Sequence, residues 1–237
     1  YVTVSRNASS EPPSKLWLKT GQKIQLRYLI RAASIKSAND AATAIGEAIA
    51  GSEVEFAKRM TRTARAMGMD RTTFKNAHGL TQSGHLSTAR DMTILGRHII
   101  YDYPQYYNLF SRRSADAKVR QVNNTNRRFL GAYKGADGIK TGYTRAAGFN
   151  LVASAERGGE RIIATMFGGS STPARNARVA QLLDMGFKRA PSSAKLQRPS
   201  LPPYERNQNE HKGKTVRLMT AVKRSLRPKI RPFGSGP

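Results

Sequence analysis

Two short apolar runs, Gly148 to Ala155 and Arg161 to Gly168, are joined at the dipeptide Gly158-Gly159. Runs of that length, meeting at a glycine pair that tolerates positive φ, read as the two arms of a β-hairpin. Ile139 to Tyr143 supplies a neighbour, so about three antiparallel strands are expected in this part of the chain. A helix is expected to follow over Pro173 to Phe187, with Val179, Leu182 and Leu183 turned inward. Upstream, Ala41, Ala44, Ile45, Ala48, Ile49, Phe56, Met60 and Ala64 recur at helical spacing and are interrupted at Gly51-Ser52. That pattern predicts two amphipathic helices within Ser37 to Met69. Thr88 to Tyr101 predicts a third, capped by Ser87 or Thr88, with Met92, Leu95 and Ile99 on one face and Pro104 ending it. Helices, then sheet, then a covering helix define an α+β fold.

The flanking segments carry weaker patterns. Tyr1 to Gly21 is turn-rich and broken by Pro12 and Pro13, and reads as a surface lead-in to the apolar stretch Ile24 to Ile30. Ser111 to Arg128 is polar and basic; its Arg112, Arg113, Lys118 and Arg120 read as a solvated face, with contact to anionic envelope polymers or nucleic acid as the functional alternative. No helix-turn-helix or aromatic platform accompanies them, so no nucleic-acid partner is expected. After Ala190 the chain turns Pro-rich and cationic, ending in Arg227-Pro-Lys-Ile-Arg-Pro. The expected division is a folded domain over 1–190 and a basic, disordered tail over 191–237. Within the tail, Val216 to Leu226 reads as a short basic amphipathic segment suited to an anionic membrane.

Charge and composition narrow the function classes. The 237 residues hold 41 Lys and Arg against 15 Asp and Glu, a formal charge of +26, which favours a polyanion or an acidic surface as partner. The absence of cysteine excludes disulfides and Cys-ligated zinc and leaves the compartment open. His78 and His85 flank Gly79-Leu80 in a loop with no acidic partner at ligand spacing, so they read as structural or surface histidines; no metal and no cofactor is expected. No apolar run approaches the ~20 residues of a spanning helix. The first residue is Tyr1 rather than Met, and we expect that it is not the translated N-terminus.

Two short motifs carry chemistry. Lys140-Thr141-Gly142 lies on the expected strand, and Ser37-Ala38-Asn39 at the start of a helical segment. Singly, Lys140 reads as a solvated lysine beside a glycine turn, and Ser37 as an N-cap with Asn39 and Asp40 favouring the helix start. Together, their order and separation match the serine acyl-transferases that use Ser-x-x-Lys, Ser-x-Asn and Lys-Thr-Gly. Such enzymes need a nucleophile, a proton acceptor, an oxyanion hole and an anchor for a carboxylate.

The match extends well past the triplets. SAND (37–40), FAKRMTRTARAMGM (56–69), TTFKNAHGL (72–80), HLSTARD (85–91), NTNR (124–127) and DGIKTGYT (137–144) closely resemble the D-Ala-D-Ala carboxypeptidases. These are the low-molecular-mass penicillin-binding proteins of the β-lactamase/transpeptidase-like superfamily, and the resemblance runs from Val4 to Phe187. It implies a penicillin-recognising fold, a helical subdomain plus an antiparallel sheet covered by helices. It also implies an acyl-enzyme mechanism in the bacterial periplasm or at the outer face of the cytoplasmic membrane. A serine attacks the bond between the two terminal D-alanines of a peptidoglycan stem peptide, D-alanine leaves, and water releases the shortened peptide; β-lactams acylate the same serine. By that resemblance Ser37 belongs to the proton relay, Asn39 holds the substrate amide, and Lys140 supports the relay. Thr141 hydrogen-bonds the terminal carboxylate, Gly142 lets the strand approach the substrate, the N–H of Tyr143 is an oxyanion donor, and Arg175 is a second carboxylate-binding cation.

The resemblance further implies a Ser-x-x-Lys helix and two first strands upstream of the stretch that resembles Val4 to Gly21. The sequence is therefore expected to be N-terminally incomplete and inactive by itself, with an exposed sheet edge. Ser192-Ser-Ala-Lys195 has the right spacing, but it follows Pro191 in the polar tail without a buried helix to lower the lysine pKa, and is not read as catalytic. The alternative functions are a non-catalytic peptidoglycan-binding module and a cationic protein of the envelope or membrane surface.

Overall fold

The computed structural model describes residues 1–191 and 196–203. Strand β1 (Val2–Thr3) and strand β2 (Lys23–Ile24) pair antiparallel and enclose helix α1 (Arg6–Ser10). Helix α2 (Leu26–Arg31) runs into a π-turn over Ala32–Lys36, followed by α3 (Asn39–Ala50) and α4 (Glu53–Ala66). Then come α5 (Ala89–Asp102), the short α6 (Pro104–Tyr107), strands β3 (Ser114–Asp116) and β4 (Gln121–Asn123), and α7 (Arg127–Ala132). The chain next builds the sheet from β5 (Ala136–Thr144), β6 (Gly148–Arg157) and β7 (Glu160–Gly169), and covers it with α8 (Thr172–Arg189). The fold is α+β, as expected.

The sheet is antiparallel in the order β5-β6-β7. Arg157 pairs with Glu160, leaving Gly158 and Gly159 at φ 58° and 84°, the two positive values that a type I′ hairpin turn requires. Central β6 buries both faces. Leu151, Ala153 and Ala155 pack with Val179 and Leu183 of α8, while Val152 packs with Ile100, Tyr107 and Ile139 on the α5 side. Burial on both sides is why this strand reads as a continuous apolar run. Gly96 lets α5 settle closely: a Cβ there would stand 3.0 Å from Ile139 Cδ1 and 3.2 Å from Val152 Cγ1. Among the described residues no strand pairs with the outer edge of β7.

A separate core lies in the N-terminal half, and here the structure corrects the sequence reading. Residues 1–21 are not a surface lead-in: Val4, Leu16 and Leu18 are buried with Leu29, Ile35 and Ala41. The buried carboxylate of Asp40 accepts the backbone N–H groups of Leu16 (2.9 Å), Leu18 (3.0 Å) and Ala41 (2.9 Å), which satisfies an extended segment that has little ladder of its own. Three apolar residues scattered among prolines and polar residues carry no periodicity, so the packing was invisible locally. The basic segment 111–128 holds the β3–β4 hairpin, with Ala115 and Val122 turned into this core. Arg112, Arg113, Lys118 and Arg120 stay exposed.

The two helices expected on either side of Gly51-Ser52 are α3 and α4. Ser52 caps α4 by accepting Glu55 N–H at 3.2 Å, and Thr88 caps α5 by accepting Asp91 N–H at 3.1 Å. Ser37 caps nothing, which overturns the N-cap reading. The N-cap of α3 is Ala38, without a side-chain bond, and Ser37 ends the π-turn in the left-handed region at φ 60°, ψ 43°. The segments Ser192 to Lys195 and Val216 to Leu226 lie outside the described residues, as does most of the expected tail.

Candidate active site

The edge of β5, the end of the π-turn, the loop at 77–80 and the first turn of α8 enclose a cleft of about 650 Å³. Ser37, Asn39, Lys140, Thr141, Gly142, Tyr143 and Arg175, singled out from sequence, all line it. Residues far apart in the chain thus meet because α3 begins beside β5 and α8 returns over the sheet.

Lys140 Nζ donates to Ser37 Oγ and, at 2.9 Å, to the carbonyl of Thr141. Burial pushes its ammonium from the usual 10.5 down to about 8, so about a tenth of the side chain is neutral at pH 7. A neutral amine on a serine hydroxyl is a proton acceptor, and the protonated amine is the matching donor. The hydroxyls continue the chain: Ser37 Oγ lies 3.4 Å from Thr125 Oγ1, which lies 2.6 Å from Thr141 Oγ1. Ser37 is held there by a backbone conformation that costs a non-glycine residue about 1–2 kcal/mol.

Asn39 is anchored on the opposite wall. Its N–H donates to Ser14 O and its Nδ2 to Pro12 O, both at 2.8 Å, and its Oδ1 accepts nothing from the described residues. Gly142 leaves the strand edge open, since an added Cβ would meet only Asn150 Cβ, at 3.8 Å. The Tyr143 ring is exposed and rests against Phe149 with centroids 4.5 Å apart.

Arg175 is 4% exposed. Its Nε and Nη2 donate to Asn176 Oδ1 at 3.1 and 2.8 Å, and Nη1 reaches Asn150 O at 3.4 Å. Burial moves its pKa below the ordinary value, and among the described residues no carboxylate pairs with it. A buried guanidinium without a counter-charge is costly to keep, and an incoming carboxylate relieves that cost. Thr172 and the N-terminus of α8 line the same end of the cleft and reinforce its preference for an anion.

Sequence reasoning missed Thr125, although the NTNR stretch that contains it was part of the resemblance. It also missed the surroundings of His78. The absence of an acidic partner at ligand spacing does not hold in space: His78 Nε2 lies 3.2 Å from Glu11 Oε2 and 3.5 Å from Glu53 Oε1. Leu80 N–H donates to His78 Nδ1 at 3.2 Å, so the neutral ring carries its proton on Nε2, facing the carboxylates. That tautomer donates to Glu11 and Glu53 and offers no lone pair to a metal there. Its effect is to tie the cleft-lining loop to α4 and to the segment before α2.

The fold is that of penicillin-binding proteins. Solved structures that resemble the chain include penicillin-binding protein 5 from Haemophilus influenzae, with a TM-score of 0.74 and 33% identity over 79% of this chain and 56% of that one. Another is penicillin-binding protein D2 from Listeria monocytogenes in its ampicillin-bound form, with a TM-score of 0.66 and 31% identity over 78% and 73%. A family model described as D-alanyl-D-alanine carboxypeptidase matches residues 1–171. The D-alanyl-D-alanine carboxypeptidase DacF of Bacillus subtilis is 38% identical over 218 residues, which is 90% of this chain and 54% of that protein. The chain belongs to the D-alanyl-D-alanine carboxypeptidase family, and it spans about half the length of the curated relatives it matches. No helix among the described residues is long and apolar enough to cross a membrane.

Proposed function

We propose that this chain forms the substrate-holding and proton-relay part of a serine-type D-Ala-D-Ala carboxypeptidase that trims peptidoglycan stem peptides in the cell envelope and is acylated by β-lactams. The observation that carries the reading is the convergence, in one cleft, of the Lys140–Ser37 contact with a buried Arg175 that has no acidic partner among the described residues. The stem peptide's terminal carboxylate lies against Thr141 and Arg175, and its amide N–H meets Asn39 Oδ1. Ser37 and Lys140 pass the proton that leaves the attacking serine and returns on the departing amine. The N–H of Tyr143 supplies one oxyanion donor. The attacking serine itself comes from outside residues 1–237, within the Ser-x-x-Lys pair that the resemblance implies. Residues 1–190 form the carboxypeptidase-like domain, and 191–237 a basic tail that attaches to anionic surfaces.

The test uses a fluorescent penicillin. The protein extended upstream to include its Ser-x-x-Lys pair gives a labelled band on a denaturing gel, and the 1–237 chain gives none. A stable adduct mapped to any serine of 1–237 overturns the assignment. A second reading, binding without turnover, is favoured by the fact that Thr141, Asn39 and Arg175 are all placed within 1–237. It predicts that the chain alone binds a D-Ala-D-Ala peptide, and that amidating the peptide's C-terminus abolishes binding.

A further inference from the structure

A second groove, of about 630 Å³, adjoins the cleft across Thr125 and Thr172, which line both. Its floor is the free edge of β4. Asn124 N–H donates to Arg113 O and Ala117 N–H to Arg120 O, which places Ala115 and Val122 in the hydrogen-bonded pair between them. By the alternation of an antiparallel ladder, the N–H and C=O groups of Gln121 and Asn123 then point away from β3. The next outward group along that edge, Thr125 N–H, is taken by Ile35 O at 3.0 Å. The edge is thus closed at one end by the π-turn and open over Gln121–Asn123, where no described residue bonds it.

Around this edge stand Lys36, Arg120, Arg127 and Arg128, and no acidic residue lines the groove. None of these four side chains has a hydrogen bond or ion pair with another described residue. Trp17, 56% exposed, forms the remaining wall. Like charges gathered without counter-charge repel one another, and an anionic ligand turns that repulsion into attraction. Guanidinium forks take carboxylates in a bidentate fashion.

We propose that this groove binds an extended acidic peptide, which adds as a strand to β4 and lays its carboxylates against Arg120, Arg127, Arg128 and Lys36. The open edge decides between anions. A phosphodiester polymer satisfies the cations, but its phosphates only accept hydrogen bonds and leave the outward carbonyls of Gln121 and Asn123 without donors. A peptide in extended conformation meets both sets of groups. Trp17 then covers one face of the added strand. The proposal goes beyond the carboxypeptidase reading and does not depend on acyl transfer.

The experiment is fluorescence anisotropy with a fluorescein-labelled, C-terminally amidated Glu-Thr-Glu-Thr-Glu peptide and the full 1–237 chain. Amidation removes the terminal carboxylate that the cleft would take, so failure here leaves the acylation reading untouched, and failure of acylation leaves this one standing. Changing Arg120, Arg127 and Arg128 to Gln together, at exposed positions that keep the fold, lowers affinity about tenfold or more. The basic residues beyond 203 are common to both proteins and cancel in the comparison. Methylating alternate backbone nitrogens of the peptide weakens binding to the wild type by about the same factor at unchanged charge, because strand addition needs those N–H groups. Equal affinity of the two proteins overturns the proposal. So does a methylated peptide that binds the wild type as tightly as the parent, or a polyphosphate of equal charge that binds more tightly and loses as much in the triple variant.

Discussion

Lys140 and Thr141 stand on a strand whose neighbours are set residue by residue, Lys140 opposite Val152 and Thr141 opposite Leu151. Across the cleft, Ser37 stands on one left-handed residue between a π-turn and a helix, and Asn39 is held by carbonyls more than twenty positions away in sequence. One wall of the site is a ladder of repeated backbone bonds over an apolar core. The other is a corner held by a few polar contacts, above all the carboxylate of Asp40 on Leu16 and Leu18. Damage to the ladder is shared among many bonds, whereas damage to the corner is not. The geometry of the cleft therefore depends most on its least regular part.

The largest effect should come from the corner. Asp40→Ala leaves the N–H groups of Leu16 and Leu18 buried without an acceptor and removes a carboxylate that takes several bonds at once. We expect a loss of about 3–5 kcal/mol in urea unfolding. Thr165→Ala on the ladder, where the hydroxyl bonds Thr93 at 2.6 Å, should lose about 1 kcal/mol. Equal losses at the two sites would erase the contrast between the walls.

Arg175→Ala tests the end of the cleft proposed to hold the substrate carboxylate. The side chain is buried and without a carboxylate partner, so its removal frees the fold of a desolvated charge while taking away the anchor. In the upstream-extended protein, kcat/KM on a D-Ala-D-Ala peptide should fall about ten- to hundredfold, the range of one lost charge-assisted hydrogen bond. Thermal stability should hold or rise. Unchanged kinetics in the folded variant would remove Arg175 from the site.

The contrast between walls also explains what could be read from the chain. The β6–β7 hairpin was legible because Gly158-Gly159 encodes its turn and both arms are apolar, β6 being buried on both faces. The cap at Thr88, one of the two candidates with Ser87, was legible because a hydroxyl three residues before its N–H partner is a local signal. Seven of the residues that line the cleft were found through short motifs and a resemblance to known enzymes, not through periodicity. The corner was opaque. A left-handed serine has no signature in composition, the bond between Asp40 and Leu16 spans 24 positions, and the basic segment gave no sign of the β3–β4 hairpin. Nor could spacing along the chain bring Glu11 and Glu53 to His78.

Lys140 links the walls, and its titration reports on that link. Its folded pKa, about 8, lies below the ordinary 10.5, so between those values the unfolded chain holds a proton that the folded protein has released. Stability contributed at this position should therefore rise with pH across that window and be flat below it. Relative to Lys140→Met, the wild type should gain about 1–3 kcal/mol between pH 7.5 and 10.5 in urea unfolding. Parallel pH profiles for the two proteins would show that the ammonium stays solvated and that the Ser37 contact does not form.

The smallest expected effect isolates the conformation of the corner from its chemistry. Ser37→Gly removes the hydroxyl that receives the Lys140 hydrogen bond, and also removes the clash that a Cβ meets at φ 60°, ψ 43°. Relief of left-handed strain is worth about 1–2 kcal/mol, and the added freedom of glycine in the unfolded chain takes back about 0.5–1 kcal/mol. The net change should be a gain of up to about 1 kcal/mol, measured by thermal unfolding. Ser37→Ala keeps the Cβ and loses the hydroxyl, so it should be no more stable than the wild type. Both variants should acylate with penicillin more slowly in the upstream-extended protein. If the glycine variant is more stable and both are slower, the serine is kept at this corner against the preference of the backbone, because the hydroxyl has to meet the lysine. If the glycine variant is less stable than the alanine variant, the left-handed residue carries no strain, and the irregular wall is as relaxed as the ladder opposite.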